Sequence, residues 1–192
     1  MKQFLWTLRK DNGHTMQIQL PPLSLGQKVA MCIQIASGME HIANHRFVHK
    51  DLAARNILLA PNLDLKIANL GLCRDIYKAE YFAFRQQVIP LRWMSPEAVL
   101  EEEYTTKSDV WAFGCFVYEV FSLGDLPFKH RGDEEVFKAV HNGDCALTDR
   151  PVSCPQELWD LVGKCMDLDP AQRPTFTELC TSLGDLTVDS DV

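Results

Sequence analysis

The chain has 192 residues, 46% of them apolar, with 26 acidic against 19 basic side chains and a formal net charge of −7. That length suits one domain with a sizeable core, and the composition excludes disorder. An acidic balance without any basic stripe argues against a nucleic-acid binder and against docking on anionic lipid.

Residues 2–9 read as one short helix running into a polar connector with Gly and Pro over 11–22. Ser24 and Gln27 have capping-box spacing, and Val29, Ile33, Ala36, Met39 and Ile42 recur every three or four positions. An amphipathic helix ending near Asn44 is expected. Two short runs, 57–59 and 65–67, flank Pro61-Asn62-Leu63-Asp64, which is turn chemistry for a hairpin. Such a hairpin puts Asn56 and Asn69 at its two ends, near enough to reach one ion or phosphate. Helical patterns follow over 107–122, 134–141, 156–166 and 175–183. The first is the most apolar and is expected to be central. It is too short to span a bilayer and contains Glu119, and no signal peptide opens the chain. Pro155 suits a helix start, Gly143 a helix end, and Thr175 with Glu178 a second capping box. Residues 185–192 read as a short, frayed acidic tail. The expected fold is mainly α with one small β-hairpin and no internal repeat. Seven cysteines, at 32, 73, 115, 145, 154, 165 and 180, include no C-x-x-C pair. Packing in a reducing, cytosolic setting is their default reading.

The chemistry-bearing segments come in a recognisable order. His49-Lys50-Asp51-Leu52-Ala53-Ala54-Arg55-Asn56 is followed thirteen residues later by Asn69-Leu70-Gly71. Then come Pro90-Leu91-Arg92-Trp93-Met94-Ser95-Pro96-Glu97, Ser108-Asp109-Val110-Trp111-Ala112-Phe113-Gly114 and Arg173-Pro174. Over nearly the whole chain this order resembles the protein kinases. The implied fold is the C-terminal lobe of a kinase domain over 1–184, with 185–192 as its tail. Ala53-Ala54-Arg55 and the Trp93 segment are similar to receptor tyrosine kinases. His-Lys-Asp, the changed residue at 69, Trp-Met-Ser-Pro-Glu and the ending Gly184-Asp185-Leu186-Thr187-Val188-Asp189-Ser190 resemble the inactive tyrosine-protein kinase 7 (colon carcinoma kinase) receptors. Those are pseudokinase co-receptors of Wnt and planar cell polarity signalling.

That resemblance implies that the chain begins near the first helix of the lobe. It contains no G-x-G-x-x-G and no V-A-I-K, so the N-terminal β lobe is missing from this sequence, and Met1 inside a motif-rich domain implies a fragment or incomplete gene model. No cofactor is expected for this chain; ATP and magnesium enter only if a complete domain retains nucleotide binding. The face that the other lobe covers would be exposed, predicting poor solubility or dependence on a partner. Signalling proteins, with other receptors, are the implied partners, on the cytoplasmic side of the plasma membrane in the parent receptor.

Asp51, Arg55 and Asn56 are the candidate catalytic residues in vestigial form, with Asp51 resembling the kinase base and Asn56 a ligand for one magnesium ion. The alternatives are a loop carboxylate that accepts hydrogen bonds, with Arg55 among the donors, and an asparagine that caps backbone groups. Asn69 stands where D-F-G would supply the other metal ligand, and an amide carbonyl offers magnesium oxygen without charge. Asn56 and Asn69 are thus a degraded cofactor and metal site. Lys50 replaces the usual arginine and is a point charge rather than a flat fork, so coupling to activation-segment phosphorylation should weaken. Tyr77 and Tyr81 are either phosphoacceptors of the activation segment or rings packed on the lobe, with Phe82 where a further tyrosine often stands. The resemblance implies a structural ion pair of Glu97 with Arg173 and makes Asp109 an anchor for the catalytic-loop backbone. Trp93, Trp111 and Trp159 read as core. His41, His45 and His49 have i,i+4 spacing, but no carboxylate or thiol completes a metal set. Ser190-Asp191-Val192 resembles a ligand for carboxylate-capturing domains, against the commoner reading of an ordinary chain end. Three functions remain: a pseudokinase binding module, part of an active receptor tyrosine kinase, and a nonfunctional truncated product.

Overall fold

The computed structural model describes residues 1–9, 21–68, 80–84 and 87–188. Its centre is a helix of 16 residues, α4 (Thr106–Phe121), in which every residue from Ser108 to Phe121 is buried. A helix apolar on all faces has to be the core around which others pack. The Thr105 side chain caps its start in a box with Ser108.

Ahead of it lie α1 (Lys2–Thr7), α2 (Leu25–Asn44) and α3 (Pro96–Leu100). After it come α5 (Asp133–His141), α6 (Gln156–Cys165) and α7 (Phe176–Val188). The capping box at Ser24 and Gln27 is formed, with N–H to oxygen distances of 2.8 and 3.1 Å. Helix α2 packs chiefly against α7 and also against α4, while α6 lies on α4. Met31, Cys32, Ile35 and Met39 of α2 are 0–1% exposed and supply its core stripe. Six cysteines among the described residues are free, five of them buried.

The hairpin of β1 (Ile57–Leu59) and β2 (Leu65–Ile67) pairs antiparallel with Ile57 opposite Ile67 and Leu59 opposite Leu65. Helix α2 holds its turn end, because the Gln34 amide donates to the Leu63 carbonyl at 3.3 Å and accepts from the Leu65 N–H at 2.8 Å. Gly38 lets the hairpin approach the helix, since a Cβ there would fall 2.8 Å from Ile67 Cδ1.

Two expectations need correcting. The single hairpin is joined by a second, β3 (Phe82–Phe84) with β4 (Gln87–Ile89), in register Phe82 to Ile89. The intervening Arg85-Gln86 carries none of the Gly, Pro, Asn or Asp chemistry that announces a turn. The last helix also runs to Val188 instead of ending at Leu183, so it takes in the first part of the expected tail. Leu183 is fully buried and Leu186 still packs on the core, which carries the apolar period past Gly184.

Candidate functional site

Helix α4 fixes the loop over residues 49–56 at two points. Near its start, Asp109 accepts the backbone N–H of His49 at 2.7 Å and of Lys50 at 2.9 Å, one on each carboxylate oxygen. Ten residues on, about 15 Å along the axis, Glu119 accepts the Ala54 N–H at 2.9 Å. Lys50 takes a left-handed φ of 70°, which aims consecutive N–H groups at Asp109. Burial holds the Asp109 carboxyl above the ordinary carboxylate range despite those hydrogen bonds.

Asp51 is engaged at both oxygens. Arg55 donates to Oδ1, and the Tyr81 hydroxyl donates to Oδ2 at 2.9 Å. Arg55 also donates to the Tyr81 oxygen at 2.8 Å and to Glu80 at 3.0 Å, and its guanidinium lies 4.2 Å from the centre of the Trp93 ring. Burial pushes the Tyr81 phenol up to about 12; Arg55 opposes this and Asp51 adds to it.

The network continues inward to Lys2, whose ammonium lies 3.2 Å from Glu80 and 2.7 Å from Glu119 with no side-chain exposure. Glu119 takes a further hydrogen bond from the Trp93 indole at 2.9 Å. Burial disfavours the charged lysine, but Glu119 and Glu80 outweigh it and raise its pKa. Two cations, Lys2 and Arg55, therefore face three carboxylates, Asp51, Glu80 and Glu119. The excess negative charge has a visible result: burial first, then Glu119, hold Glu80 above the ordinary range even with Lys2 and Arg55 beside it.

Asn56 donates its amide to the Asp51 carbonyl at 2.7 Å, and its side-chain oxygen is buried without a hydrogen-bond partner among the described residues. The Ala68 N–H donates to the Asn56 carbonyl at 2.9 Å, so the hairpin does bring the residue before Asn69 beside Asn56. Asn69 and Tyr77 lie outside the described residues, as does Ser190-Asp191-Val192. Among the described residues the site thus offers one unpartnered neutral oxygen beside an aspartate bonded at both oxygens, whereas magnesium asks for anionic oxygen in near-octahedral array. Among the described residues no group of three His, Cys, Asp or Glu side chains is placed to hold a metal. The rings of His41 and His45 tilt together at 4.3 Å, and the nearer imidazole contact of His45 is the His41 carbonyl at 2.8 Å.

Glu97 and Arg173 meet in a two-pronged pair at 2.6 and 2.9 Å, joining α3 to the turn ahead of α7. Burial opposes ionisation of Glu97, yet the hydrogen bonds and charge of Arg173 hold the carboxyl below the usual range. A cleft of about 180 Å³ lies elsewhere, lined by Tyr118, Phe128, His130, Arg131 and residues 146–149, and takes no residue from the 49–56 loop.

Reading by motif passes over Lys2, Glu80 and Glu119. Glu119 did leave a signal, being the one charge inside an apolar helical run toward its end, and a buried charge demands a partner. Nothing local marks Lys2 as that partner or Glu80 as the second carboxylate sharing it, since they lie 117 and 39 positions away.

A family model described as protein tyrosine and serine/threonine kinase matches residues 6–183. The chain is 48% identical over 190 residues to the inactive tyrosine-protein kinase 7 of Homo sapiens, covering 99% of this chain and 17% of that protein. The Mus musculus protein of that name is also 48% identical over 190 residues, with 18% of its length covered. The insulin-like growth factor 1 receptor of Bos taurus is 37% identical over 186 residues, or 96% of this chain and 28% of the receptor. The chain thus spans under a fifth of the length of the inactive relatives it matches.

Proposed function

The chain belongs to the protein tyrosine and serine/threonine kinase family, and from that premise we propose that it is the C-terminal lobe of a tyrosine pseudokinase that serves as a binding module. In the parent receptor it presents surfaces to signalling partners on the cytoplasmic side of the plasma membrane, as a scaffold or co-receptor element of the Wnt and planar cell polarity type. No described helix is long and apolar enough to cross a membrane, so this reading places the anchor in the rest of the receptor.

The observation that carries the reading is the closure of Asp51 by Arg55 and Tyr81. A catalytic base has to reach a substrate hydroxyl, and here both oxygens are spent within the protein. The neutral Asn69 compounds the deficit. Phosphoryl transfer rests on positioning and charge stabilisation, so a missing anionic metal ligand costs several kcal/mol, or roughly a thousandfold in rate.

The second reading, part of an active receptor tyrosine kinase, is favoured by the retained Asp51, Arg55 and Asn56 and by the similarity to the insulin-like growth factor 1 receptor. The two separate when the chain is joined to the upstream sequence of its own gene and assayed for magnesium-dependent phosphotransfer. The expected result is negligible turnover for the native lobe, with a gain on Asn69→Asp. Ordinary turnover by the native lobe, abolished by Asp51→Asn, would overturn the pseudokinase reading.

A further inference from the structure

We propose that Tyr104 is a phosphorylation site for a protein tyrosine kinase with a basic peptide groove, and that Lys50 on the catalytic loop holds the phosphate it receives. Tyr104 lies between α3 and α4, where residues 102–105 adopt neither helix nor strand. Glu101, Glu102 and Glu103, all exposed, precede it directly. The segment leaves α3 through a hydrogen bond from the Glu103 N–H to the Glu97 carbonyl at 3.2 Å and a left-handed Glu102 with φ of 58°. Three consecutive carboxylates on the N-terminal side of a tyrosine in non-helical backbone complement a peptide groove lined by arginine or lysine.

The ring of Tyr104 is half-buried against the edge of the core, and its hydroxyl has no hydrogen-bond partner among the described residues. Over the ring sits the Lys50 ammonium, 4.9 Å from its centre. Lys50 is exposed and has no carboxylate at ion-pair distance among the described residues. Among the described residues its ammonium rests on the ring face and acts beyond it only at longer range, on the Asp109 carboxylate.

In the transfer, the tyrosine oxygen forms a bond to the γ-phosphorus of magnesium-bound ATP while the bond from that phosphorus to the β,γ-bridging oxygen breaks. ADP leaves, and the phenolic proton passes to the carboxylate base of the partner kinase. The product adds about −1.5 to −2 charges. Glu102 opposes that charge, and the flexible Lys50 stem lets its ammonium move from the ring face to the phosphate. Phosphorylation would so tie the segment between α3 and α4 to the catalytic loop. This inference stands apart from the reading of Asp51, because the phosphate comes from a second protein.

The test incubates the whole chain with magnesium-ATP and an active tyrosine kinase domain, with a glutamate–tyrosine copolymer as internal standard, and maps phosphate by peptide mass spectrometry. The expected result is modification at Tyr104, lost in Tyr104→Phe and at least tenfold slower when residues 101–103 are all changed to Gln. Phosphorylation should raise the melting temperature of the native chain but not of Lys50→Ala. Absence of phosphate at Tyr104 while the copolymer is modified overturns the site. An equal melting shift in Lys50→Ala overturns the role of Lys50, and phosphate at Tyr104 without added kinase overturns the assignment to a separate enzyme.

Discussion

Arg173 is 1% exposed, and Glu97 is the carboxylate that neutralises it. Glu97→Gln keeps the shape and removes the charge, leaving a buried guanidinium without an anion. Such a loss costs about 3–5 kcal/mol, to be read as a lower urea midpoint. The pair also sets a pH dependence. Because the folded-state pKa of Glu97 is lowered, its contribution is complete above the ordinary value of 4.5 and fades as the pH falls through the lowered value. The stability gap between native and Glu97→Gln should therefore narrow in acid. Glu80 carries the opposite sign: its folded-state pKa is raised, so the folded form binds the extra proton and stability declines as the pH climbs above 4.5. Glu80→Gln should remove that decline in a urea titration run across the same range. A Glu80→Gln curve with an unchanged slope would show that the excess charge resides on another carboxylate.

Helix α1 has six residues, too few to stand alone in water, and its position depends on docking. Lys2 reaches the buried carboxylates, the Trp6 indole donates to the Gly124 carbonyl at 3.0 Å, and Arg9 pairs with Asp125 at 2.5 Å. Gly124 has φ of 83°, and a Cβ there would meet Trp6 Cδ1 at 2.9 Å. Gly124→Ala should cost about 1–3 kcal/mol and speed hydrogen exchange in α1 before the rest of the domain. Lys2→Met should cost more, because it leaves buried Glu119 without its ion-pair partner and Glu80 with Arg55 alone. At this scale the sequence was informative wherever a signal is local. The capping boxes at Ser24 and Thr175, the 3.6-residue period of α2 and the apolar run of α4 mark their helices within a few residues, and Pro61 to Asp64 marks the first hairpin. The charge network was illegible for the same reason inverted: Lys2, Glu80 and Glu119 come together only once α1 docks beside the turn over 54–56 and Lys2 reaches in to both carboxylates, and no period or spacing encodes that. The hairpin of β3 and β4 escaped because three-residue strands are announced only by their turn, and Arg85-Gln86 lacks the turn chemistry that marks the first hairpin.

Across the molecule, nucleotide is the informative ligand. A ligand at 100 times its Kd adds about 2.7 kcal/mol of stability, which in a domain of this size raises the melting temperature by several degrees, roughly 5–10 °C. Millimolar magnesium-ATP should move this chain by less than about 1 °C; a shift of several degrees would mean that the lobe holds nucleotide alone. Phe47 at 69% and Leu58 at 47% exposure flank the loop and hairpin that carry the site, and Phe47→Ser with Leu58→Ser should raise the concentration at which light scattering begins. The grip of Asp109 on the loop has a broader outcome. It grasps amide hydrogens, which every residue but proline supplies, so the side chains at 49 and 50 can be exchanged without the loop slipping its mooring. A molecule built that way can shed its reactivity piecemeal while a partner goes on meeting the same contour.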